Sequence, residues 1–252
     1  MRMGRRIALI SGGSESYTFY DHIRQKYNIN RPVSADAKGI RTPVFNTDVM
    51  IRTIWMPTFG SSASQDNQCF IAMKMYDADQ GYEYGAGIRA AYYSRYSTKG
   101  IMYISTPHTS DIESDSAWME GDQWYPTEIR MSLNTVSGSQ NYIKVGSHQL
   151  SVNNGTGETN YPDPWFLFGF NGDSEYFNEN SRMSDYIGAG ALQRTYFYDY
   201  TGENLLADLK PCKRGSDGAV GMYDTVGGVF CPAKKGNTIQ TMPDGDFEVG
   251  NL

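Results

Sequence analysis

The segment 205–230, LLADLKPCKRGSDGAVGMYDTVGGVF, constrains the fold of this 252-residue chain more than any other part of it. Two tight-turn signals, Asp217-Gly218 and Gly227-Gly228, lie on either side of a short apolar run that ends at Tyr223. Pairs of this kind favour short hairpin turns because their residues tolerate positive φ. The segment therefore predicts a strand, a turn, a strand, a second turn and a third strand.

The rest of the chain contains many short apolar or aromatic segments, separated by clusters of Gly, Asn, Asp and Ser. These segments predict strands at 48–55, 69–76, 84–93, 100–105, 128–133, 142–145, 165–170 and 194–200. No long amphipathic helix separates them, so the pattern favours a β-sandwich over a parallel α/β sheet. The 27 glycines and 19 tyrosines agree, because turns need the first and strands favour the second. In 48–55 both strand faces are partly apolar, which predicts an outer face that is also covered or contacted.

The net charge of −6 argues against a nucleic-acid partner, because a phosphate backbone is repelled by an acidic protein. The basic cluster Lys210, Lys213 and Arg214 is interpreted as a solvated turn surface. No apolar run approaches the roughly 20 residues that a membrane-spanning helix needs. The apolar stretch at 7–10 is also shorter than the roughly 7 to 15 residues of a signal peptide's apolar region. We therefore expect no membrane insertion.

The three cysteines, Cys69, Cys212 and Cys231, form no C-x-x-C pair. An odd number without this spacing predicts neither a disulfide framework nor a zinc site. Cys212 and Cys231 flank the two turns described above. We expect them to be small buried apolar residues that lie near each other.

The pattern L-x-D-x-x-P-C-x-R-x-S-D-G-x-x-G-x-Y-D-x-V-G-G-V-F at 206–230 resembles the closing hairpins of a concanavalin-like, laminin-G-like jelly-roll domain. Such domains occur in tail-associated and structural proteins of bacteriophages and prophages. The order of Trp124, Trp165 and the strand that ends at Asp199 is also similar to that family. The resemblance implies an all-β, antiparallel two-sheet jelly-roll sandwich at 18–241, with an N-terminal arm at 1–17 and a C-terminal tail at 242–252.

The resemblance further implies a non-enzymatic structural protein of a bacteriophage virion, assembled in the cytoplasm of the bacterial host. A fibre, a decoration protein or an adhesion component fits equally. Its partners would be other virion proteins and copies of itself. The arm, with Arg2, Arg5 and Arg6, is a candidate docking segment.

The alternative function is a carbohydrate-binding module or lectin that acts on cell-surface glycans. Its candidate contacts are Trp118, Tyr161 and Tyr176, which lie in polar segments. The same side chains suit a subunit contact at least as well, because Tyr and Trp are enriched at protein interfaces.

A glycoside hydrolase is a distant third reading, and it rests on the acidic residues Asp111, Glu113, Asp115 and Glu120. Strand alternation would place Glu113 and Asp115 on one face, as a retaining enzyme needs. The segment lacks the aliphatic alternation of a core strand and the E-x-D-x-x-E strand of glycosidases that share this architecture. The three histidines, His22, His108 and His148, show no ligand spacing. We therefore predict no catalytic residue and no enzyme.

No cofactor is predicted, and calcium is the ion that such a domain would bind most readily. Asp77 with Asp79, and Asp173 with Glu175, are spaced for a loop of oxygen ligands at the rim of the sandwich. Neither pair completes a D-x-[DN]-x-[DN]-G calcium loop, so no ligand set is assigned.

Overall fold

The computed structural model describes residues 15–25, 38–45, 48–58, 68–77, 82–91, 99–106, 109–113, 118–131, 140–153, 164–168, 190–235 and 247–252. These residues form strands joined by turns and contain no helix, so they include no helical segment able to cross a membrane. Every strand pairing among them is antiparallel.

The first twelve strands are β1 (Tyr17–Phe19), β2 (His22–Gln25), β3 (Lys38–Val44), β4 (Val49–Pro57), β5 (Gln68–Asp77), β6 (Tyr82–Ala91), β7 (Lys99–Thr106), β8 (Thr109–Glu113), β9 (Met119–Glu120), β10 (Tyr125–Met131), β11 (Gln140–Val145) and β12 (His148–Asn153). The remaining seven are β13 (Pro164–Leu167), β14 (Gly190–Leu192), β15 (Thr195–Asp199), β16 (Leu205–Arg214), β17 (Val220–Asp224), β18 (Val229–Lys235) and β19 (Phe247–Gly250).

Two sheets are built from these strands, and the two-residue strand β9 pairs separately with the start of β7. Sheet A runs β12-β11-β10-β4-β15-β16-β17-β18, with β14, β2 and β19 beside the far end of β4, and β1 in line with β15 along β16. Sheet B runs β18-β3-β13-β5-β6-β7-β8. Strand β18 belongs to both, because its first half pairs with β17 and its second half pairs with β3. The chain crosses repeatedly between the sheets, as in a jelly roll.

The two sheets face each other through one hydrophobic core. Phe45, directly after β3 of sheet B, stacks on Phe197 of sheet A with ring centroids 4.9 Å apart. Phe168, directly after β13, meets Phe247 of β19 edge-to-face at 5.5 Å. These contacts join opposite layers, so the predicted all-β, antiparallel two-sheet sandwich is confirmed.

The C-terminal run folds as predicted. Strands β16, β17 and β18 form two consecutive hairpins, and Gly218 and Gly228 take positive φ values of 72° and 68° in their turns. Their amides donate hydrogen bonds of 2.9 Å to the carbonyl oxygens of Arg214 and Asp224. Because β18 then continues into sheet B, this unit closes one edge of the sandwich.

The two ends of the described chain also contribute strands. The sequence favours a strand start near residue 18 over a helix at 20–27, and the structure has β1 at Tyr17–Phe19 and β2 at His22–Gln25. The segment 242–252, expected as a tail, contains β19, which pairs with β2 and buries Phe247 in the core. Tyr17, expected at the end of the arm, lies in β1. Residues 1–14 and 242–246 lie outside the described residues.

Candidate interaction surface

The outer face of sheet A carries an unusual set of side chains. Along β10, β4 and β15, Ile129, Ile51 and Phe197 point into the core, so their immediate neighbours point outward. Strand pairing places these outward residues in rows across the sheet. We call this surface the aromatic–cationic face, and it comprises Tyr17, Phe19, Arg52, Arg130, Tyr142, Lys144, Arg194, Tyr196, Tyr198, Tyr200, Lys210, Arg214, Tyr223 and Phe230.

Cation–π contacts hold this face together. The distances from cation to ring centroid are 5.2 Å for Arg52 on Tyr198, 5.4 and 5.2 Å for Arg130 on Tyr142 and Tyr200, 4.8 Å for Arg194 on Tyr196, 5.9 Å for Lys210 on Phe19 and 4.7 Å for Arg214 on Phe230. Each contact of this kind contributes about 0.5–1 kcal/mol at an exposed site. Two carboxylates, Glu128 and Asp208, share these rows with six basic side chains, so the face is net positive on a chain of net charge −6.

Glu128 lies at the centre of one row. Its carboxylate accepts hydrogen bonds of 2.6 Å from Nε of Arg52 and of 2.6 Å from the hydroxyl of Tyr142. Partial burial alone would raise the pKa of Glu128, but the bonds from Tyr142 and Arg52 outweigh it and hold the pKa below its usual value. Burial and the bond to Glu128 raise the pKa of Tyr142 to about 12. The Tyr142 hydroxyl therefore remains a donor at neutral pH.

Asp208 organises the next part of the face. Arg194 donates to both of its carboxylate oxygens, and the Thr225 hydroxyl donates to one of them. The backbone amide of Asp208 in turn donates a 3.0 Å bond to the Asp224 carboxylate. Burial opposes ionisation of Asp208, yet the donors from Arg194 and Thr225 lower its pKa. This network ties β15, β16 and the turn after β17 together.

Arg130 differs from the other arginines of the face. Its guanidinium lies between the rings of Tyr142 and Tyr200. Its Nε is buried without a hydrogen-bond partner, and its Nη2 contacts the sulfur of Met50 at 3.7 Å. No carboxylate lies within ion-pair distance of Arg130 in the part of the chain that the structure describes.

At the other end of the face, β1 adds its rings to those of the C-terminal hairpins. The ring of Tyr17 lies 4.5 Å from Tyr223 and 5.6 Å from Phe230, and Phe19 meets Tyr223 edge-on at 6.2 Å. Cys212 shares its row with Phe19 on this outer face, yet it is fully buried beneath the rings. A Cβ on Gly221 would lie 2.4 Å from the Cys231 carbonyl oxygen and 2.9 Å from the Phe230 ring, so the glycine permits this packing.

Both cysteines of this region are free and buried, as predicted. Burial raises the pKa of Cys212 and of Cys231 to about 12. They act as small apolar residues on opposite faces of the closing hairpins, because Cys212 pairs with Gly221 and Cys231 pairs with Met222. For Cys69, the structure describes the backbone, which belongs to β5.

The point where the arm meets the sandwich is fixed by hydrogen bonds. The Glu15 carboxylate accepts bonds of 3.0 and 2.8 Å from the amide and hydroxyl of Ser216. The Gly215 amide donates a 2.7 Å bond to the carbonyl oxygen of Ser16. Residues 15–19 are thereby held against the β16–β17 turn. The proposed docking residues Arg2, Arg5 and Arg6 lie outside the described residues.

Of the three predicted glycan contacts, only Trp118 is described, and Tyr161 and Tyr176 lie outside the described residues. Trp118 is partly buried against the core and stacks on His148 with centroids 5.2 Å apart and an angle of 17° between the rings. Part of its aromatic surface is therefore occupied within the chain. Trp124 and Trp165 both lie in segments that favour the core: Trp165 is fully buried there, whereas Trp124 is half-buried and meets His22 edge-on at 5.7 Å.

The acidic residues considered for catalysis are spread over different strands. Asp111 and Glu113 belong to β8 and Glu120 to β9, whereas Asp115 lies outside the described residues. Of the calcium candidates, Asp77 ends β5, and Asp79, Asp173 and Glu175 are not described. Within the described ranges, no three His, Cys, Asp or Glu side chains are grouped closely enough to hold a metal ion.

The fold and this surface define an antiparallel β-sandwich with one aromatic–cationic outer face. No family model matches the chain, and no curated protein matches it. Among solved structures, it is similar to a native heptameric SAP-like pentraxin from Limulus polyphemus, with a TM-score of 0.43 and 9% identity. The match covers 71% of this chain and 75% of the pentraxin chain.

Sequence analysis did not identify the aromatic–cationic face as a site. The signal is present in the strand RTYFYDY at 194–200, where Arg194, Tyr196 and Tyr198 alternate with the buried Thr195 and Phe197. The alternation identifies an outward row on one strand. It does not show that the outward rows of β10, β4 and β15 lie side by side, because that depends on strand order.

Proposed function

We propose that this chain is a non-enzymatic structural component of a bacteriophage virion, which binds copies of itself or other virion proteins. The observation that carries a binding and assembly role is the aromatic–cationic face. Tyr and Arg are the residues most enriched at the energetically important centres of protein interfaces, whereas Lys, Glu and Asp are depleted there. The virion assignment itself is supported by the resemblance of 206–230 to phage jelly-roll domains.

The fixed base of the arm supports the same proposal. Glu15 and Ser16, which directly follow residues 1–14 in the sequence, are hydrogen-bonded to the β16–β17 turn. A basic segment that starts at a fixed point is suited to docking on an acidic partner surface. Arg2, Arg5 and Arg6 would make those contacts.

The test is co-purification with particles. A tagged chain is expressed in a host that produces the phage, and particles are separated on a density gradient and probed for the tag. We expect the protein in the particle fraction, and a variant lacking residues 1–14 in the soluble fraction. Arg2, Arg5 and Arg6 replaced together by Lys serve as the control, because they keep the charge. A full-length protein that is abundant in the lysate and absent from particles would refute the virion role.

Binding of cell-surface glycans is the second candidate function. It is favoured by a specific observation, namely that Arg130, which forms no ion pair among the described residues, lies in the same row as Tyr142 and the polar strand β12. Tyr142 is paired with Ser151 and Lys144 with Gln149, so β12 adds a hydroxyl and an amide to the same rows. A glycan array probed with the whole chain tests this candidate. An array with no bound glycan would count against it.

A further inference from the structure

We propose that Arg130, held between Tyr142 and Tyr200, binds the carboxylate of an acidic sugar on the outer face of sheet A. The site does not include Trp118. This inference rests on the glycan-binding candidate and is independent of the virion assignment.

The first argument is the contrast between Arg130 and its neighbours. Arg52 donates to Glu128 at 2.6 Å, Arg194 is bidentate on Asp208, and Arg214 donates to Asp217 at 2.6 and 3.0 Å. Each of these guanidinium groups therefore has an internal carboxylate. Arg130 has no ion pair of this kind among the described residues: the nearby Glu128 carboxylate interacts with its charge, but its hydrogen bonds go to Arg52 and Tyr142.

The second argument is the geometry of the unsatisfied donors. A guanidinium offers five N–H groups in a planar fork that matches a planar carboxylate. The Nε of Arg130 is buried and does not reach the surface, so the two terminal nitrogens are the groups that would meet a ligand. Of these, Nη2 contacts the thioether sulfur of Met50 at 3.7 Å. The two flanking rings hold the guanidinium in place, so little conformational entropy is lost when an anion binds.

The third argument concerns the class of ligand. A nucleic acid is bound through several phosphate contacts at once, about 6–10 for a typical protein. Among the described residues, this face offers one guanidinium without an ion pair, because its other arginines are paired with their own carboxylates. A sugar acid presents one carboxylate per unit together with hydroxyls. Ser151 and Gln149 of β12, which pair with Tyr142 and Lys144, provide hydrogen-bonding groups for those hydroxyls.

The test measures binding of an oligogalacturonate to the full chain by isothermal titration calorimetry. Dextran is the neutral probe, and poly-L-glutamate and oligo-dT are the anionic probes without sugar acids. The variants are Arg130→Gln, Arg130→Lys and Lys213→Gln. Lys213 is exposed on β16 outside the face, so its variant controls for the loss of one positive charge. Thermal melting verifies that each variant folds, and Arg130→Lys keeps a cation between the two rings.

We expect the wild-type chain to bind oligogalacturonate and to bind it more weakly as salt is added. Arg130→Gln and Arg130→Lys should lower the affinity about tenfold or more, because a bidentate charged hydrogen bond is lost. Lys213→Gln should change it less than about twofold.

Three outcomes would overturn the inference: unchanged binding by folded Arg130→Gln, equal binding of poly-L-glutamate, or equal binding of oligo-dT. If dextran or another neutral glycan binds equally well to wild type and Arg130→Gln, the glycan-binding function stands and the role of Arg130 is refuted. If neither oligogalacturonate nor a neutral glycan binds, the glycan-binding function and the role of Arg130 are both refuted.

Discussion

The ring of Tyr17 lies 4.5 Å from the ring of Tyr223, and this contact joins the first described strand to the closing hairpins. Tyr17 also lies 5.6 Å from Phe230, and Phe19 completes the cluster. The residues that β1 pairs with, including Cys212, belong to the double-hairpin run at 206–230. Tyr223 and Gly215 of that run therefore hold the base of the N-terminal arm, because Tyr223 contacts Tyr17 and the Gly215 amide donates to the carbonyl oxygen of Ser16.

Tyr17→Ala should loosen β1 and expose Cys212. Loss of the ring contacts should lower the free energy of unfolding by about 1–2 kcal/mol, because an aromatic pair contributes about 0.5–1.5 kcal/mol beyond its buried area. In a Cys69→Ser background, native Cys212 should react slowly with a thiol reagent at pH 8, since burial raises its pKa to about 12. The variant should react measurably faster.

Tyr20→Ala is the matched control for this experiment. Tyr20 lies next to the same strand and binds through its backbone amide to Pro211, outside the aromatic cluster. Its substitution should leave the rate of thiol modification near the wild-type value. Equal rates in Tyr17→Ala and wild type would contradict the role of the cluster in covering Cys212.

Gly221→Ala and Gly218→Ala separate close packing from backbone conformation. A Cβ on Gly221 would meet the backbone carbonyl oxygen of Cys231 at 2.4 Å, and strand β18 cannot move without breaking its pairing with β17. Gly218 has a φ of 72° and nothing within 4 Å of the added atom. We expect a loss of about 1 kcal/mol for Gly218→Ala from the positive φ. Gly221→Ala should cost more, about 2–3 kcal/mol or above.

Urea denaturation of the two glycine variants provides the measurement, with the change in midpoint converted through a common slope. The informative result is which of the two variants loses more free energy of unfolding. If Gly218→Ala were the more destabilising, the close approach of β18 to β17 at Gly221 would not limit the packing of this hairpin.

Asp208→Asn should weaken the junction of β15, β16 and the turn after β17. Asp208 is nearly buried and accepts hydrogen bonds from Arg194 and Thr225, whereas Arg194 is about half exposed. Because solvent screens the ion pair, we expect a loss of about 1–2 kcal/mol rather than the larger cost of breaking a buried pair. Glu203→Gln, at an exposed turn position, should be close to neutral when both variants are compared by thermal melting. A neutral Asp208→Asn would show that the network adds no stability.

The sequence predicted the fold class because its strongest signals are local. The double hairpin is specified by turn residues, and strands β4, β5, β6, β7, β10, β11, β13 and β15 follow apolar or aromatic patterns. Strand β3 contains Pro43 and Gly39, and β14 has three residues, so neither has a clear pattern. Strand β19 looks like a tail because only its pairing with β2 gives it a structured role.

The interaction surface could be predicted less well, since it arises from pairing between strands distant in sequence. Arg52 and Glu128 are 76 residues apart, and their ion pair depends on β10 lying beside β4. The aromatic candidates chosen from polar segments, Trp118 among them, follow composition rather than topology. Trp118 in fact stacks on His148, which belongs to the distant strand β12.

Stability should fall as the pH drops below neutrality because of His22. Its ring lies edge-on to Trp124 and against Gly250, and its Nδ1 is buried without a hydrogen-bond partner. Burial lowers the pKa of His22 despite the carboxylates of Asp21 and Glu248, and Arg24 opposes protonation further. The unfolded chain therefore binds the proton more readily than the folded one. The contribution is complete above the unfolded pKa of about 6.5 and is lost as the pH falls through that value toward the lower folded pKa.

His22→Gln should make the free energy of unfolding less dependent on pH between 7.5 and 5. In this range the described carboxylates with lowered pKa values stay ionised, so they do not contribute to the change. His148→Gln is the control, since His148 is exposed. The free energy of unfolding, measured in urea at several pH values, should decline for the wild type and His148→Gln and less for His22→Gln. Because Gly250 of β19 packs on His22, protonation should first loosen the pairing of β19 with β2. Hydrogen exchange at Val249 should then speed up at low pH, and equal slopes for all three proteins would exclude His22 as the cause.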